Sequence, residues 1–173
     1  MIHFVFLLAL SLFLVFLSPS REKTILVEGH PYKLSRSRAW KTDKEALGRL
    51  VWLRSSSLRV AHLVRPAFRA KLLVERLERC IFVETSSSIV ANTVEKGQIM
   101  NVCIRDPQSG TLLPPFHTLH VVLHEMAHML SCSVGHTSEF DDNFSELKEI
   151  AAETGLVPAD LPSIPFCGSS HVP

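Results

Sequence analysis

Charge is missing from the first twenty residues of this chain, tyrosine occurs once, and the four cysteines include no CxxC pair. The cysteine spacing excludes a four-cysteine zinc ribbon. An even count permits disulfides. In a chain of 173 residues, though, Cys80, Cys103, Cys132 and Cys167 are expected as buried free thiols. No internal repeat is evident, so a stacked-repeat architecture is set aside. A marked excess of either charge is lacking too, with a net charge of +1. That balance hides a split. Residues 21–80 hold 15 Lys/Arg against 6 Asp/Glu, and residues 81–173 hold 3 against 11. The first expectation for such a split is mutual attraction between the halves; a basic face resting on anionic lipid is the second.

The uncharged opening is strongly apolar. From Ile2 to Leu17 only His3 and Ser11 interrupt it. As a helix that run reaches roughly 24 Å, slightly short of a hydrocarbon core of ~30 Å. A cleaved secretory signal usually starts with Lys or Arg, which is absent here, although Ser18 and Ser20 have the size a cleavage site needs. Arg21 and Lys23 follow the run, and the positive-inside rule then puts the remainder in the cytosol. The expectation is a retained single-pass membrane anchor at 1–20, with secretion after signal cleavage as the alternative.

Residues 21–41, with Gly29, Pro31 and a Ser/Arg cluster, read as an irregular lead-in, and residues 42–173 as the functional domain. From Asp43, the residues Ala46, Leu47, Leu50, Val51, Leu53 and Leu58 recur at helical spacing, with a break or bend at the serines 55–57. A second helix is expected over Pro66–Glu78, turning Phe68, Leu72, Leu73 and Leu77 inward. The period then shortens. β-Branched residues on either side of "EKGQ" predict a hairpin, with strands at Ile89–Val94 and Ile99–Arg105. "DPQSG" at 106–110 is a further turn. A helix is expected from Thr118 to Cys132, ended by Gly135, and another from Thr137 or Ser138 to Gly155. That last helix starts acidic (Glu139, Asp141, Asp142) and buries Phe140, Phe144, Leu147, Ile150 and Ala151. The proline-rich tail is expected to pack back on the domain.

The chemistry concentrates in "VVLHEMAHMLSCSVGHTSEF", residues 121–140. His124 and His128 stand four apart, so on a helix both imidazoles leave one face and can share a tetrahedral zinc. Glu125 directly follows the first of them, where a carboxylate can act as general base on a zinc-activated water. HExxH arises in about 3% of random orderings of this composition. The setting adds weight. Val121, Val122, Leu123, Met126, Met129 and Leu130 surround the motif, and buried imidazoles without a partner would be costly. A catalytic site needs a third protein ligand and one open position. His136, after the flexible Gly135, is the first candidate; Glu146 or Glu149 from the next helix is the competing one. His117 and His120 extend the histidine stripe and read as residues beyond the ligands or on the surface. Tyr32 is too far away in sequence to be assigned an oxyanion-stabilising role.

"HEMAH", then "GHTSEF" and a helix, resembles the WLM and SprT-like group of zinc metallopeptidases. The longer run "KGQIMNVCIRD … LHEMAHMLSCSVGHTSEFDDNFSEL … PFCG" resembles small metallopeptidase-like proteins of large DNA viruses, which also begin with one hydrophobic segment. The likeness covers roughly residues 45–168. It implies an α+β, zincin-like domain: a hairpin or small sheet, an HExxH helix and a following C-terminal helix. It implies Zn²⁺ on His124, His128 and His136, with Glu125 as general base. It also implies that the strand at Ile99–Arg105 borders the cleft, where an extended peptide or protein substrate pairs with it. One departure is visible. His136 lies two residues farther from HExxH than is typical of WLM sequences, so the ligand loop must differ. Relatives can act on proteins crosslinked to DNA, but no nucleic-acid motif occurs here and nucleic acid is not an expected partner. The alternative from another class is a membrane-tethered, non-catalytic zinc-binding interaction protein, a degenerate peptidase.

Overall fold

A computed structural model of the chain describes residues 22–35, 40–85, 90–106, 109–158 and 160–161. The apolar segment 1–20 and most of the proline-rich tail lie outside these residues, so the expected anchor and the packing of that tail do too. No described helix is long and apolar enough to cross a membrane.

Five strands and four helices make one mixed α+β unit. In chain order they are β1 (Glu22–Val27), β2 (His30–Ser35), α1 (Trp40–Ala61), α2 (Ala67–Arg79), β3 (Ile81–Glu84), β4 (Ala91–Val94), β5 (Ile99–Val102), α3 (Pro115–Leu130) and α4 (Ser138–Glu153). The sheet order is β1-β2-β3-β5-β4. β1 and β2 are antiparallel, β2–β3 and β3–β5 parallel, and β4 is antiparallel to β5. Two helices between β2 and β3 supply the long crossover that a parallel pair needs. α1 covers β2 and β3, α3 covers β4 and β5, and the two helices touch; α2 and α4 pack on them. Phe82, Met100 and Val102 from the sheet meet Leu50 and Leu53 of α1 and Leu119, Val122, Leu123 and Met126 of α3 in one core.

Several expectations change here. The stretch read as an irregular lead-in is the β1–β2 hairpin, turned by Glu28 and Gly29 at positive φ and joined through Tyr32↔Phe82 to the main sheet. β3 was not foreseen at all. Helix α1 runs through the serines without a break. The Ser57 hydroxyl donates to Leu53 C=O at 2.8 Å and that of Ser55 to Trp52 C=O at 3.0 Å, which satisfies them inside the helix. On α2, Leu73 and Leu77 are buried as expected, but Phe68 (71% exposed) and Leu72 face outward. Among the cysteines, Cys80 is a buried free thiol, Cys132 is free but exposed, and Cys103 is disulfide-bonded, against the expectation of a free thiol there.

The hairpin around "EKGQ" is present with shorter strands. Glu95, Lys96 and Gly97 form its turn at positive φ. β5 has no free edge with which a peptide could pair, because β3 and β4 flank it on both sides. The edge strands of the sheet are β1 and β4, and β4 is the one beside β5. Cys103 N–H donates to Val90 C=O at 2.9 Å, and bonded pairs alternate with unbonded ones along an antiparallel ladder. Continuing that alternation along the register leaves Ala91 and Thr93 directing their backbone groups away from β5.

Candidate metal centre

Pro115 opens α3 three residues earlier than expected, and the helix then carries His117, His120, His124, Glu125 and His128. Its inner face is the apolar set read from the sequence: Val121, Val122, Leu123, Met126, Met129 and Leu130 are all buried. This packing fixes the helix, and the 3.6-residue turn then presents His124 and His128 together at a half-buried position. Their ring centroids are 5.0 Å apart.

The chain leaves α3 at Ser131, turns through Gly135 (φ +85) and returns as α4. That reversal brings His136 over the pair. Its centroid is 4.9 Å from that of His124 and 5.1 Å from that of His128. One nitrogen from each of the three rings lies within 4.8 Å of the others. The His136 and His124 Nε2 atoms are 3.1 Å apart. Two ligands at ordinary zinc–nitrogen lengths and a tetrahedral angle stand about 3.3 Å apart. The His124–His136 pair has that spacing, and the set, with no separation above 4.8 Å, needs only a small contraction to hold one zinc ion. Phe140 packs against the group, edge-on to His124 and tilted to His128 and His136, with centroids 4.4 to 4.8 Å from all three imidazoles, and the Phe144 ring is 5.3 Å from His124.

The electrostatics suit a cation. Burial, reinforced by His128, His136 and His120, pushes His124 down to about 4; burial first, then His136 and Lys96, lowers His128. Both are thus held neutral near pH 7, the form that ligates metal. Glu125 is 7% exposed, and burial pushes it up to about 7 against the pull of a hydrogen bond from Thr93 N–H. That amide is one of those on the open edge of β4. The general-base candidate therefore lies between the histidine group and the edge of the sheet.

Neither alternative third ligand is near the histidines. Glu146 accepts from Arg69 at 2.6 Å and from Arg65 N–H at 2.9 Å, and Glu149 is exposed beside Ser145. Among the described residues, His124, His128 and His136 form the only group of three ligating side chains. His120 stands edge-on to Phe144 at 5.3 Å, beside the group and not in it, and His117 is buried. Tyr32 is buried in β2, hydrogen-bonded with Arg54.

Sequence reasoning missed Thr93, Lys96 and the task of Glu139. Lys96 Nζ donates to the C=O of His128 at 3.1 Å and of Ser131 at 2.6 Å, tying the hairpin turn to the end of the metal helix. Arg76 does the same at Met129 C=O. Cations at those last carbonyls also complement the helix dipole. Lys96 stands 32 residues from His128, so no local sequence signal could have shown the tie.

No family model matches the chain. It is 38% identical over 80 residues to "Uncharacterized protein 136R" of Invertebrate iridescent virus 6, a match spanning 44% of each chain. Its fold is similar to that of Wss1 from Saccharomyces cerevisiae, with a TM-score of 0.53 and 17% identity over 70% of this chain and 89% of that one. A Wss1 mutant from the same yeast gives 0.52 and 16%, covering 71% and 91%. The described chain is a mixed α+β domain of the Wss1 fold, carrying a three-histidine group beside the open edge of its sheet.

Proposed function

We propose that this chain is a zinc metallopeptidase of the WLM type. The observation that carries the reading is the convergence of three imidazole nitrogens within 4.8 Å, with Glu125 on the same helix and turned toward the sheet edge. A fold shared with Wss1 and the HExxH-to-GH sequence resemblance support it.

His124, His128 and His136 would hold the ion, and zinc bound there would supply Lewis acidity toward the scissile carbonyl and a water molecule. Glu125 would serve as general base and then acid, taking a proton from the water whose oxygen bonds to the carbonyl carbon and giving it to the amine as the C–N bond breaks. The substrate is an extended peptide segment. Ala91 N–H and C=O and Thr93 C=O turn outward from β4, Thr93 N–H being held by Glu125, and a peptide laid along that edge would gain main-chain hydrogen bonds from those groups. β4 thus takes the docking role first expected of the strand at 99–105.

One observation bears on location. Cys103 is in a disulfide, and disulfides persist in oxidising compartments. This favours a domain outside the cytosol, whether tethered by residues 1–20 or released from them, over the cytosolic topology expected from charge.

The test measures metal content and peptide turnover together in wild type, Glu125→Gln and His136→Ala. Expected are one zinc in wild type, one zinc with turnover reduced ~10²- to 10⁴-fold in Glu125→Gln, and weakened zinc in His136→Ala. Undiminished cleavage by Glu125→Gln would sink the mechanism. Stoichiometric zinc with no cleavage by wild type would return the non-catalytic alternative.

A further inference from the structure

The path from Ser131 to Thr137 delivers His136, yet apolar packing does little to hold it. Cys132, Val134, Gly135 and His136 are exposed, and Val134 is 93% exposed. Lys96 and Asn143 hold its first residue, Ser131, and one side chain gathers the two that follow. Glu139, in the first turn of α4, accepts Cys132 N–H at 2.9 Å on Oε1. Its Oε2 accepts Ser133 N–H at 3.1 Å and the Ser133 hydroxyl at 2.8 Å. Ser133 Oγ lies 2.7 Å from Thr137 Oγ1, so the start of the loop is also joined to its end. Between these ties stand only Val134, Gly135 and the ligand.

We propose that Glu139 is the positioning residue of the metal centre: by gathering three donors from Cys132 and Ser133 it sets the loop conformation that holds His136 against His124 and His128. The proposal rests on the reading that the three histidines hold a metal. Glu139 touches no ligand and acts through the loop alone. A ligand already in place binds without the entropy cost of ordering its loop. Partners that orient a ligand from behind typically govern metal affinity by 10- to 100-fold. The rival explanation is that Glu139 merely adds negative charge near the helix start, as Asp141 does in the first turn and Asp142 just beyond it. Geometry separates the two, because a glutamine keeps the length of the side chain but offers one good acceptor oxygen to three donors.

The experiment titrates zinc into the full-length chain in detergent micelles against a chromophoric chelator, and records the visible absorption of the cobalt(II)-loaded protein. The variants are Glu139→Gln, Glu139→Asp and Asp142→Asn, each with a thermal melt of the metal-free form. Expected are affinity 10- to 100-fold weaker in Glu139→Gln, partial recovery in Glu139→Asp, and wild-type affinity in Asp142→Asn. The cobalt spectrum of saturated Glu139→Gln should also change, since His136 is no longer held in place. A role confined to stability would lower the metal-free melt and leave that spectrum unaltered, which overturns the proposal. Glu139→Gln within threefold of wild type overturns it too, and so does Asp142→Asn weakening zinc as much. If wild type binds no zinc, the metal reading itself falls and takes this inference with it; the other failures leave that reading intact.

Discussion

Glu125 and Glu139 serve one loop-and-helix unit, and their surroundings push them in opposite directions. Burial raises Glu125, while the donors on Cys132 and Ser133 pull Glu139 down to about 2 from an ordinary 4.5. A carboxylate whose folded value is depressed binds fewer protons in the native state, so its stabilisation is complete above its unfolded value and fades as pH falls through the folded one. Metal-free wild type and Glu139→Gln should therefore differ in melting temperature by a constant amount above about pH 5 and converge between pH 4.5 and 2. Thermal melts across that range check it; a gap unchanged at pH 2.5 would mean the carboxylate is not its source. At this scale the sequence was readable wherever spacing alone decides. The i,i+4 rule put His124 and His128 on one face, and Gly135 marked the bend that returns His136. The bonds of Glu139 and the Thr93–Glu125 contact were hidden, because the first depends on the path of a loop and the second on strand register.

At the level of elements, the hairpin turn is the joint between sheet and metal helix. Gly97 stands at φ +109, and a Cβ there would lie 2.5 Å from the Met129 methyl carbon and 3.5 Å from Arg76 Cβ. The Met129 side chain can yield, but the backbone angle cannot suit an L-residue. Gly97→Ala should cost about 1–3 kcal/mol in urea unfolding, and an unchanged midpoint would show that the turn relaxes freely. The helices were largely legible, since their apolar periodicity survives in α1, α3 and α4. The strands were less so. β1 buries no residue fully, and its alternation is cut short by Gly29 and Pro31. β3 has four residues pressed directly behind α2. Phe68 and Leu72 misled because helical spacing does not say which face meets the core.

For the molecule as a whole, the charge split resolves at least partly into contact between its halves. Arg69 of the basic half pairs with Glu146 of the acidic half at 2.6 Å and donates to Asn143, whose amide donates to the Ser131 hydroxyl at the end of the metal helix. The cysteines report on the environment. Burial pushes the Cys80 thiol up to about 12, so almost none is thiolate at pH 8, whereas Cys132 is exposed. Iodoacetamide at pH 8 should label Cys132 in the native protein, Cys80 only on unfolding and Cys103 only after reduction. Labelling of Cys103 in unreduced, unfolded protein would remove the argument for an oxidising compartment. Distances along the chain also order the molecule's assembly in time. The three histidines fall within residues 124–136, and His128 and His136 close a loop of eight residues. A segment of that size closes in roughly 10–100 ns. The parallel pairing of Tyr32 with Phe82 must instead bring together positions fifty residues apart, the slow kind of contact. The contacts of the histidine group are thus short-range and those that close the sheet long-range, so the sheet sets the pace of folding.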